Sequence, residues 1–359
     1  MKKIIAILVV VFLMPVQSSC AREPQVQQRN EQQAGGDSTN DGAAVESDQP
    51  LVQLGTIRDN RISESSGLAR SFTAEGAYWT HNDSGNAPVV FLLAPDGRLL
   101  AEVNIEGVEN RDWEAMTSVS LNGAGFLMIG EVGDNSKRYR SYRLLMISEP
   151  AVSDEVRSAI REDVEGFQPT VFAGGAMQFE FTYKDGRHNC EAIAYDESAG
   201  KVWLVEKVYV DDQRETPPGI YCIDFGLSEE EFGRAARGVV ALPQARRIAD
   251  FPVRNVTGMS ISPDGRRMLI RTYLAGFLYS REESESWAEV LQNQRPQNIA
   301  LPIQRQGEAV CFSCDSDSIV VTSENTRQAI WQINLAAQLN SGRNTDTTEE
   351  EAAVSGNDG

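Results

Sequence analysis

One stretch decides the fold: residues 188–207, HNCEAIAYDESAGKVWLVEK, which contain both strands of a unit that recurs along the chain. Glu191 stands directly before a short apolar run. A turn ending at Gly200 reverses the chain, and a second apolar run leads to Glu206 and Lys207. This pattern predicts a β-hairpin that carries charged side chains at one edge, at both its start and its end.

Four further segments repeat the pattern, and in each of them small residues flank one large apolar residue ahead of a second apolar run. The large residues of the five copies are Leu68, Met116, Ile193, Met259 and Val310. Their intervals of 48, 77, 66 and 51 residues compare with roughly 40–50 residues per blade in propeller repeats. Small residues are expected where innermost strands crowd a narrow axis. We therefore predict an all-β chain folded as a β-propeller; a β-sandwich, the alternative for many short strands, does not explain the repeated motif.

The longest interval, 77 residues, has room for a further blade. Residues 142–147 and 177–183 have the pattern of strands, and residues 152–164 have that of a short amphipathic helix. A second helical insertion is predicted at 228–237, where a serine precedes three glutamates. The sequence thus predicts six blades, five of them with recognisable inner hairpins, and small helical insertions.

The two ends of the chain differ in composition from its middle. Two lysines precede an apolar run, Ile4 to Val16, which is too short to span a bilayer and has the length of a signal-peptide core. We therefore predict a signal peptide at 1–20, a flexible linker at 21–50, the propeller at 51–339 and a disordered acidic tail at 340–359.

A signal peptide predicts that the protein is exported to the periplasm or the cell surface. Cleavage is expected either after Ala21 or before Cys20, and in the second case the cysteine carries a lipid. That lipid is the only predicted contact with a membrane. The four other cysteines, in an oxidising compartment, are open to two interpretations: structural disulfides or buried free thiols.

The charge balance excludes one class of partner. The chain has 52 acidic and 33 basic residues and a formal net charge of -19, whereas binding a phosphate backbone requires clustered Lys and Arg. Nucleic acid is therefore not expected as a partner. The expected partner is a small polar ligand or substrate.

Carboxylates predominate among the residues that the hairpins place at one mouth of the predicted propeller. Facing carboxylates repel one another unless they are protonated, paired with a basic residue or neutralised by a cation. Calcium takes six to eight oxygen ligands, so we predict a Ca²⁺ site formed by Glu114, Glu191 and Glu308. The predicted ligand-binding residues around it are Asp83, Asp112, Glu131, Asp134, Lys207 and Arg271. The alternative for each glutamate is a structural pair with backbone amides or a basic side chain.

The common catalytic motifs are absent from the sequence. It contains no GxSxG elbow, P-loop, HExxH motif or complete EF-hand loop, and two histidines are too few for a polyhistidine zinc site. Catalytic residues therefore stay unassigned, with Glu191 and His188 as candidates for a general base.

Several motifs together resemble exported bacterial β-propellers of the phytase-like kind, which are often lipoproteins of unassigned activity. The motifs are ESSGLA with WTHNDSG, DWEAM with IGEVGDN, and NCEAIAYD with VWLVEK. The resemblance covers residues 57–325 and implies calcium held by carboxylates in and above the channel. In true phytases it also implies a phosphate between calcium and basic residues, a role that Lys207 and Arg271 match here.

Two functions are consistent with these observations. The first is an exported propeller whose acidic, calcium-binding funnel binds a small polar ligand. The second is a calcium-dependent hydrolase of phosphoesters or esters.

Overall fold

The computed structural model describes residues 49–340, and it is built almost entirely of short strands. In chain order the first strands are β1 (Leu51–Thr56), β2 (Ser65–Arg70), β3 (Tyr78–Asn82), β4 (Val89–Leu93), β5 (Leu99–Glu106), β6 (Trp113–Leu121), β7 (Ala124–Glu131), β8 (Tyr142–Ser148), β9 (Thr170–Gly175), β10 (Met177–Phe181) and β11 (Cys190–Asp196). The remaining strands are β12 (Lys201–Glu206), β13 (Gly219–Asp224), β14 (Val239–Ala241), β15 (Arg246–Asp250), β16 (Val256–Ile261), β17 (Arg267–Thr272), β18 (Ala275–Ser280), β19 (Gln297–Ala300), β20 (Gly307–Phe312), β21 (Ser318–Ser323) and β22 (Ala329–Asn334).

These strands form five sheets, each of which is one blade of a propeller. From the axis outward, blade 1 is β2-β3-β4-β5-β9, blade 2 is β6-β7-β8-β10-β14, blade 3 is β11-β12-β13-β15, blade 4 is β16-β17-β18-β19, and blade 5 is β20-β21-β22-β1. The innermost strands β2, β6, β11, β16 and β20 pack against one another in a closed ring. Because β1 completes blade 5, strands from the two ends of the described chain seal the ring. The predicted propeller is confirmed.

The predicted sixth blade is wrong, since the propeller has five blades. The strand predictions at 142–147 and 177–183 are themselves correct and correspond to β8 and β10, the third and fourth strands of blade 2. The intervening strand β9 adds in parallel to the outer edge of blade 1. A separate blade requires an innermost strand of small residues at the axis, and this segment extends the outer edges of two existing blades instead.

Short helices lie between strands. They are α1 (Asp154–Arg161), α2 (Glu229–Ala235) and α3 (Trp287–Asn293). The first two confirm the predicted insertions, and Ser228 forms a capping box with Glu231 at the start of α2. The third was not predicted, although Ser286 and Glu289 form the same capping box there. No helix among residues 49–340 is long and apolar enough to cross a membrane.

Apolar side chains fill the spaces between the blades and beneath the helices. Four tryptophans are fully buried: Trp79, Trp113, Trp203 and Trp287. Full burial of a large apolar side chain contributes about 1.5–3 kcal/mol, so these contacts hold neighbouring blades together. The four cysteines of the described chain are free thiols, and three of them are buried, so the disulfide alternative is wrong for them.

A register shift occurs near the start of every innermost strand. The shifts fall between Ser65 and Gly67, Trp113 and Ala115, Cys190 and Ala192, Val256 and Gly258, and Gly307 and Val310. The residues that they displace are Ser66, Glu114, Glu191, Thr257 and, with Ala309, Glu308. A bulge bends its strand and re-aims a side chain. The five displaced positions form what we term the axial ring.

The signal peptide, Cys20, nearly all of the linker and the acidic tail beyond residue 340 lie outside the described residues. They stay predictions.

Candidate cation site at the propeller mouth

Carboxylates of three blades meet in the axial ring. One oxygen each from Glu114, Glu191 and Glu308 lie within 4.8 Å of one another, and all three side chains are buried. We call this set the inner triad. A second set, the outer triad, consists of Asp83, Asp112 and Glu114, whose oxygens satisfy the same limit. Two oxygens bound to one calcium ion at 2.3–2.6 Å lie at most about 5 Å apart, so either triad fits a cation.

The outer triad is assembled from two neighbouring blades. Asp83 directly follows β3, and Asp112 and Glu114 lie on either side of the first residue of β6. Asn110 joins the two segments, because its Nδ2 donates to the Asp83 carbonyl at 2.6 Å and its Oδ1 accepts from the Trp113 amide at 3.1 Å. These bonds fix the spacing of the carboxylates through the backbone.

A glycine makes room for the carboxylates of the outer triad. A Cβ atom on Gly133 would lie 2.3 Å from Glu114 Oε1 and 2.7 Å from Asp112 Cγ. Contacts this short do not occur between real atoms, so a larger residue at this position would displace both side chains.

The inner triad already contains a cation of the protein. Lys207 Nζ lies 2.7 Å from Glu191 Oε2 and 3.5 Å from Glu308 Oε1, and the side chain is almost completely buried. Its ammonium group also lies over the rings of Tyr209 and Tyr273, at 5.4 and 5.1 Å from their centroids. Burial lowers the pKa of Lys207, but the two carboxylates outweigh burial and raise it above its usual value, so the ammonium is charged.

Neutral donors complete the surroundings of Glu191 and Glu308. Ser66 Oγ donates to Glu308 Oε2 at 3.1 Å, and the Tyr273 hydroxyl donates to Glu308 Oε1 at 3.0 Å. Asn189 Nδ2 donates to Glu191 Oε1 at 3.1 Å. These bonds hold both carboxylates in place beside Lys207.

Glu114 belongs to both triads, and its surroundings oppose its ionisation. Burial, followed by the charges of Glu191, Asp83 and Glu308, raises its pKa well above the usual value. Burial also raises the pKa of Glu191, to about 7, although Lys207 opposes the shift. A proton or a cation is therefore needed beside Glu114.

The outer triad has no basic partner of its own. Burial raises the pKa of Asp83, and burial together with the charges of Asp83 and Asp134 raises that of Asp112 to about 6. In the chain from residue 49 to 340, no lysine, arginine or histidine forms an ion pair with Asp83 or Asp112. Because both side chains are only partly buried, the outer triad is open to a cation from solution.

Two of the predicted ligand-binding residues have partners within the protein. Glu131 is fully buried and accepts two hydrogen bonds from Arg143, with Arg111 Nη2 3.1 Å from its Oε1. Asp134 accepts bonds from two backbone amides of its own loop and from the Tyr142 hydroxyl at 3.0 Å. The model therefore places both carboxylates in structural networks around the site.

Arg271 is also placed in a structural contact. It is fully buried, and its Nη1 donates to the carbonyls of Ala309 at 2.6 Å and Thr322 at 3.1 Å, while Nη2 donates to Gln304. Burial lowers its pKa to about 9. The guanidinium joins blade 4 to blade 5, and none of its hydrogen bonds goes to a triad carboxylate.

His188, a candidate base, lies in a neighbouring network. Its Nδ1 is 3.0 Å from Glu206 Oε1, and its Nε2 is 3.0 Å from Asp185 Oδ1. Burial raises the pKa of Glu206, but hydrogen bonds from Arg214 and His188 outweigh it and lower the pKa to about 2. Both ring nitrogens of His188 are thus occupied by side chains of the protein.

Sequence reasoning missed three residues that shape the site: Asn110, Asn189 and Tyr273. Each acts by bonding a backbone or side-chain group from another segment, so none belongs to a repeated pattern. The available signal was their position, since Asn110 and Asn189 lie two residues before Asp112 and Glu191.

Neither a protein-family profile nor a curated protein sequence matches this chain. Among solved structures, a gluconolactonase from Xanthomonas campestris is similar with a TM-score of 0.38 and 9% identity, over 79% of this chain and 89% of that chain. The assignment of the fold rests on the strand pairing described above, which confirms the propeller. The narrower resemblance to phytase-like propellers stays a prediction.

Proposed function

We propose that the protein is a binding propeller that holds one calcium ion in the outer triad and, beside it, a small polar ligand. The observation that carries this proposal is the distribution of positive charge: three carboxylate oxygens of the outer triad lie within 4.8 Å of one another without a basic partner, whereas Lys207 serves the inner triad.

The proposed calcium position, in the outer triad, differs from the position predicted from the sequence. The sequence assigned it to Glu114, Glu191 and Glu308, but an ammonium group and a metal ion repel each other at such short distances. Lys207 occupies the space beside Glu191 and Glu308, so Glu114 is the member of that set that we keep as a ligand. Asp83 and Asp112 replace the other two.

The chemistry of the donors favours calcium. Carboxylate oxygens are ligands for hard cations, and calcium accepts irregular coordination more readily than magnesium does. Three carboxylates leave several of its six to eight positions unfilled. Since Asp83 and Asp112 are partly exposed, those positions face the mouth of the propeller, where a ligand with hydroxyl, carboxylate or phosphate oxygens fits.

Calcium titration of the purified full chain tests the proposal. After removal of metals with a chelator, calorimetry is expected to show one calcium ion per chain. At 100 times the Kd, calcium stabilises the fold by about 2.7 kcal/mol, which corresponds to a rise in Tm of about 5–10 °C.

Two variants give the test its specificity. Asp112→Asn removes one charged ligand and is expected to weaken calcium binding at least tenfold. Glu102→Gln is the matched control, because Glu102 pairs with Arg61 at 2.7 Å on an outer strand of blade 1, and its calcium affinity should be unchanged. Absence of any calcium-dependent heat or Tm shift in the parent chain contradicts the proposal.

A second candidate, a calcium-dependent hydrolase of phosphoesters or esters, is favoured by one observation. The pKa of Glu191, raised to about 7 by burial, suits a general base at neutral pH. Assays with p-nitrophenyl phosphate, phytate and p-nitrophenyl acetate in calcium test this candidate. Turnover no greater than that of Glu191→Gln excludes it and leaves the binding function.

We also propose that the protein acts outside the cytoplasm. The apolar run from Ile4 to Val16 supports this, as does the millimolar calcium at which extracellular calcium modules work. Cell fractionation, with and without Cys20→Ala, tests export and the lipid anchor separately.

A further inference from the structure

The mouth opposite the carboxylate triads contains a separate cavity. Its volume is 240 Å³, and it is lined by the later residues of the five innermost strands, among them Arg70, Thr117, Ser120, Tyr195 and Phe312. No member of either triad lines it. Ser120 lies six residues beyond Glu114 on β6, roughly 20 Å along an extended strand. The two sites are therefore distinct.

Three hydroxyl groups in this cavity have no hydrogen-bond partner among residues 49–340: those of Thr117, Ser120 and Tyr195. Thr117 and Tyr195 are only 9% and 8% exposed. Other serines of the same lining are satisfied, since Ser118 Oγ donates to the Arg70 carbonyl at 2.7 Å and Ser260 Oγ accepts from the Phe312 amide at 3.2 Å. Their oxygens are not among the side-chain oxygen and nitrogen atoms that are sealed from solvent without a partner, so they face the open cavity. A ligand can replace the water that bonds to them there.

The character of the lining limits what that ligand can be. Arg70 contributes one positive charge, and the exposed Glu197 and Asp264 contribute two negative charges. The rest of the polar lining consists of neutral hydroxyls, beside the rings of Tyr195 and Phe312. Burial, with the charges of Glu197 and Asp196, raises the pKa of Tyr195 to about 12, so its hydroxyl is a neutral donor and acceptor. A volume of 240 Å³ is below the roughly 300–1,000 Å³ of pockets for drug-sized ligands.

We propose that this cavity is a second binding site and that it takes a neutral monosaccharide. Such a ligand carries many hydroxyls that can pair with Thr117, Ser120 and Tyr195, and its ring has an apolar face that packs against an aromatic side chain. The site is independent of the calcium site.

Titration of the full chain with D-galactose and D-mannose tests the proposal, followed by calorimetry or by saturation-transfer NMR. Saturable binding of at least one sugar is expected at concentrations up to about 50 mM, well above a millimolar Kd. Thr117→Val and Tyr195→Phe each remove a hydroxyl and preserve the shape of the side chain. Their combination is expected to weaken binding at least tenfold.

The controls separate this site from the calcium site. Asp112→Asn should bind the sugar like the parent chain, and the double variant should bind calcium like the parent chain. If the double variant does not fold, Ser120→Ala, at a partly exposed position, replaces it with an expected loss of about threefold. Absence of saturable binding by both sugars overturns the proposal, and so does binding that is unchanged in these variants.

Discussion

Two groups of buried carboxylates lie within the same mouth of this propeller, and they differ in their counter-charges. Glu131 and Glu206 end the second strands of blades 2 and 3, and each is paired with an arginine of its own blade, Arg143 or Arg214. Among the carboxylates of the two triads, Glu191 and Glu308 share the ammonium of Lys207, and Asp83 and Asp112 form no ion pair within residues 49–340. The first group is neutralised by the fold, whereas the second requires protons or a cation.

The position of a carboxylate in the repeat therefore does not show whether it forms a structural ion pair or a ligand site. Both groups lie at the ends of strands, and Glu131 was predicted as a ligand-binding residue in the same way as Asp83 and Asp112. What separates them is the guanidinium that reaches Glu131 or Glu206 from the next strand or loop. A charged residue with a dedicated partner is structural, and one without a partner indicates a ligand site.

The largest effect is expected when a buried carboxylate is removed from its ion pair with an arginine. Glu131→Ala leaves Arg143 and Arg111 uncompensated and should lower the free energy of unfolding by about 3 kcal/mol, measured by urea denaturation. Glu324→Gln is the control at the corresponding end of blade 5, where burial and Glu308 raise the pKa to about 9 and the carboxyl is already neutral at pH 7. Its loss should stay below about 1 kcal/mol. If both variants lost the same free energy of unfolding, the distinction between paired and unpaired carboxylates would be wrong.

Removal of the shared ammonium comes next. Lys207→Met at pH 7.5 without calcium should cost about 2–3 kcal/mol, because Glu191 and Glu308 lose their cation. The deficit should shrink at pH 5, where Glu191, with a pKa of about 7, takes up a proton, as thermal scans at both pH values will show. Lys201→Met, at the start of the strand β12 that Lys207 follows, breaks a partly exposed pair with Asp224 and should change stability by less than about 0.5 kcal/mol. A deficit that does not depend on pH contradicts the prediction.

When calcium is absent, the pH dependence of stability should follow two buried carboxylates with raised pKa values: Glu191 of the inner triad, and Glu324, which interacts with Glu308. The folded-state pKa values of Glu191 and Glu324 are about 7 and about 9, above the usual 4.5, so the folded chain binds more protons than the unfolded chain. Their contribution to stability is complete below about pH 4.5 and is lost as the pH rises through 7 to 9. Glu206, with a pKa of about 2, acts in the opposite sense and loses its contribution as the pH falls below 4.5.

Stability should therefore be greatest near about pH 5 and lower by about 2 kcal/mol at pH 8, as measured by urea titration in a chelator. Glu324→Gln should flatten the part of the decrease between pH 7 and 9. If the stability of the parent chain rose steadily from pH 5 to 8, ionisation of Glu191 and Glu324 would not destabilise the fold, and the prediction would be contradicted.

The smallest effect concerns a single neutral donor. Tyr273→Phe removes the 3.0 Å hydrogen bond to Glu308 and keeps the ring beside Lys207, so a loss of about 1 kcal/mol is expected. Tyr209→Phe is its control, because that hydroxyl donates to Asn135 on the exposed rim and should matter less. A larger loss in Tyr209→Phe than in Tyr273→Phe contradicts this ranking of the two tyrosines.

Much of the architecture could be predicted from local patterns. The five inner hairpins are recognisable because crowding at the axis demands small residues around one large apolar residue, and α1 and α2 are recognisable from their capping serines. The blade count was not predictable in this way. β9 extends blade 1 because it pairs with β5, and β10 extends blade 2 because it pairs with β8. In both cases other elements lie between the paired strands in the chain, so the pattern of a single strand does not predict the pairing.

The propeller and the axial position of Glu114, Glu191 and Glu308 could be predicted from the amino-acid sequence, because both follow from the spacing of residues within one hairpin. Which carboxylates have counter-charges depends on how the blades pack: packing brings Lys207 to the inner triad and leaves Asp83 and Asp112 beside Glu114 without a base. Charge interactions of this kind fall off over a few ångströms, and they connect blades that are far apart in the chain. Residue spacing within one hairpin therefore does not specify them.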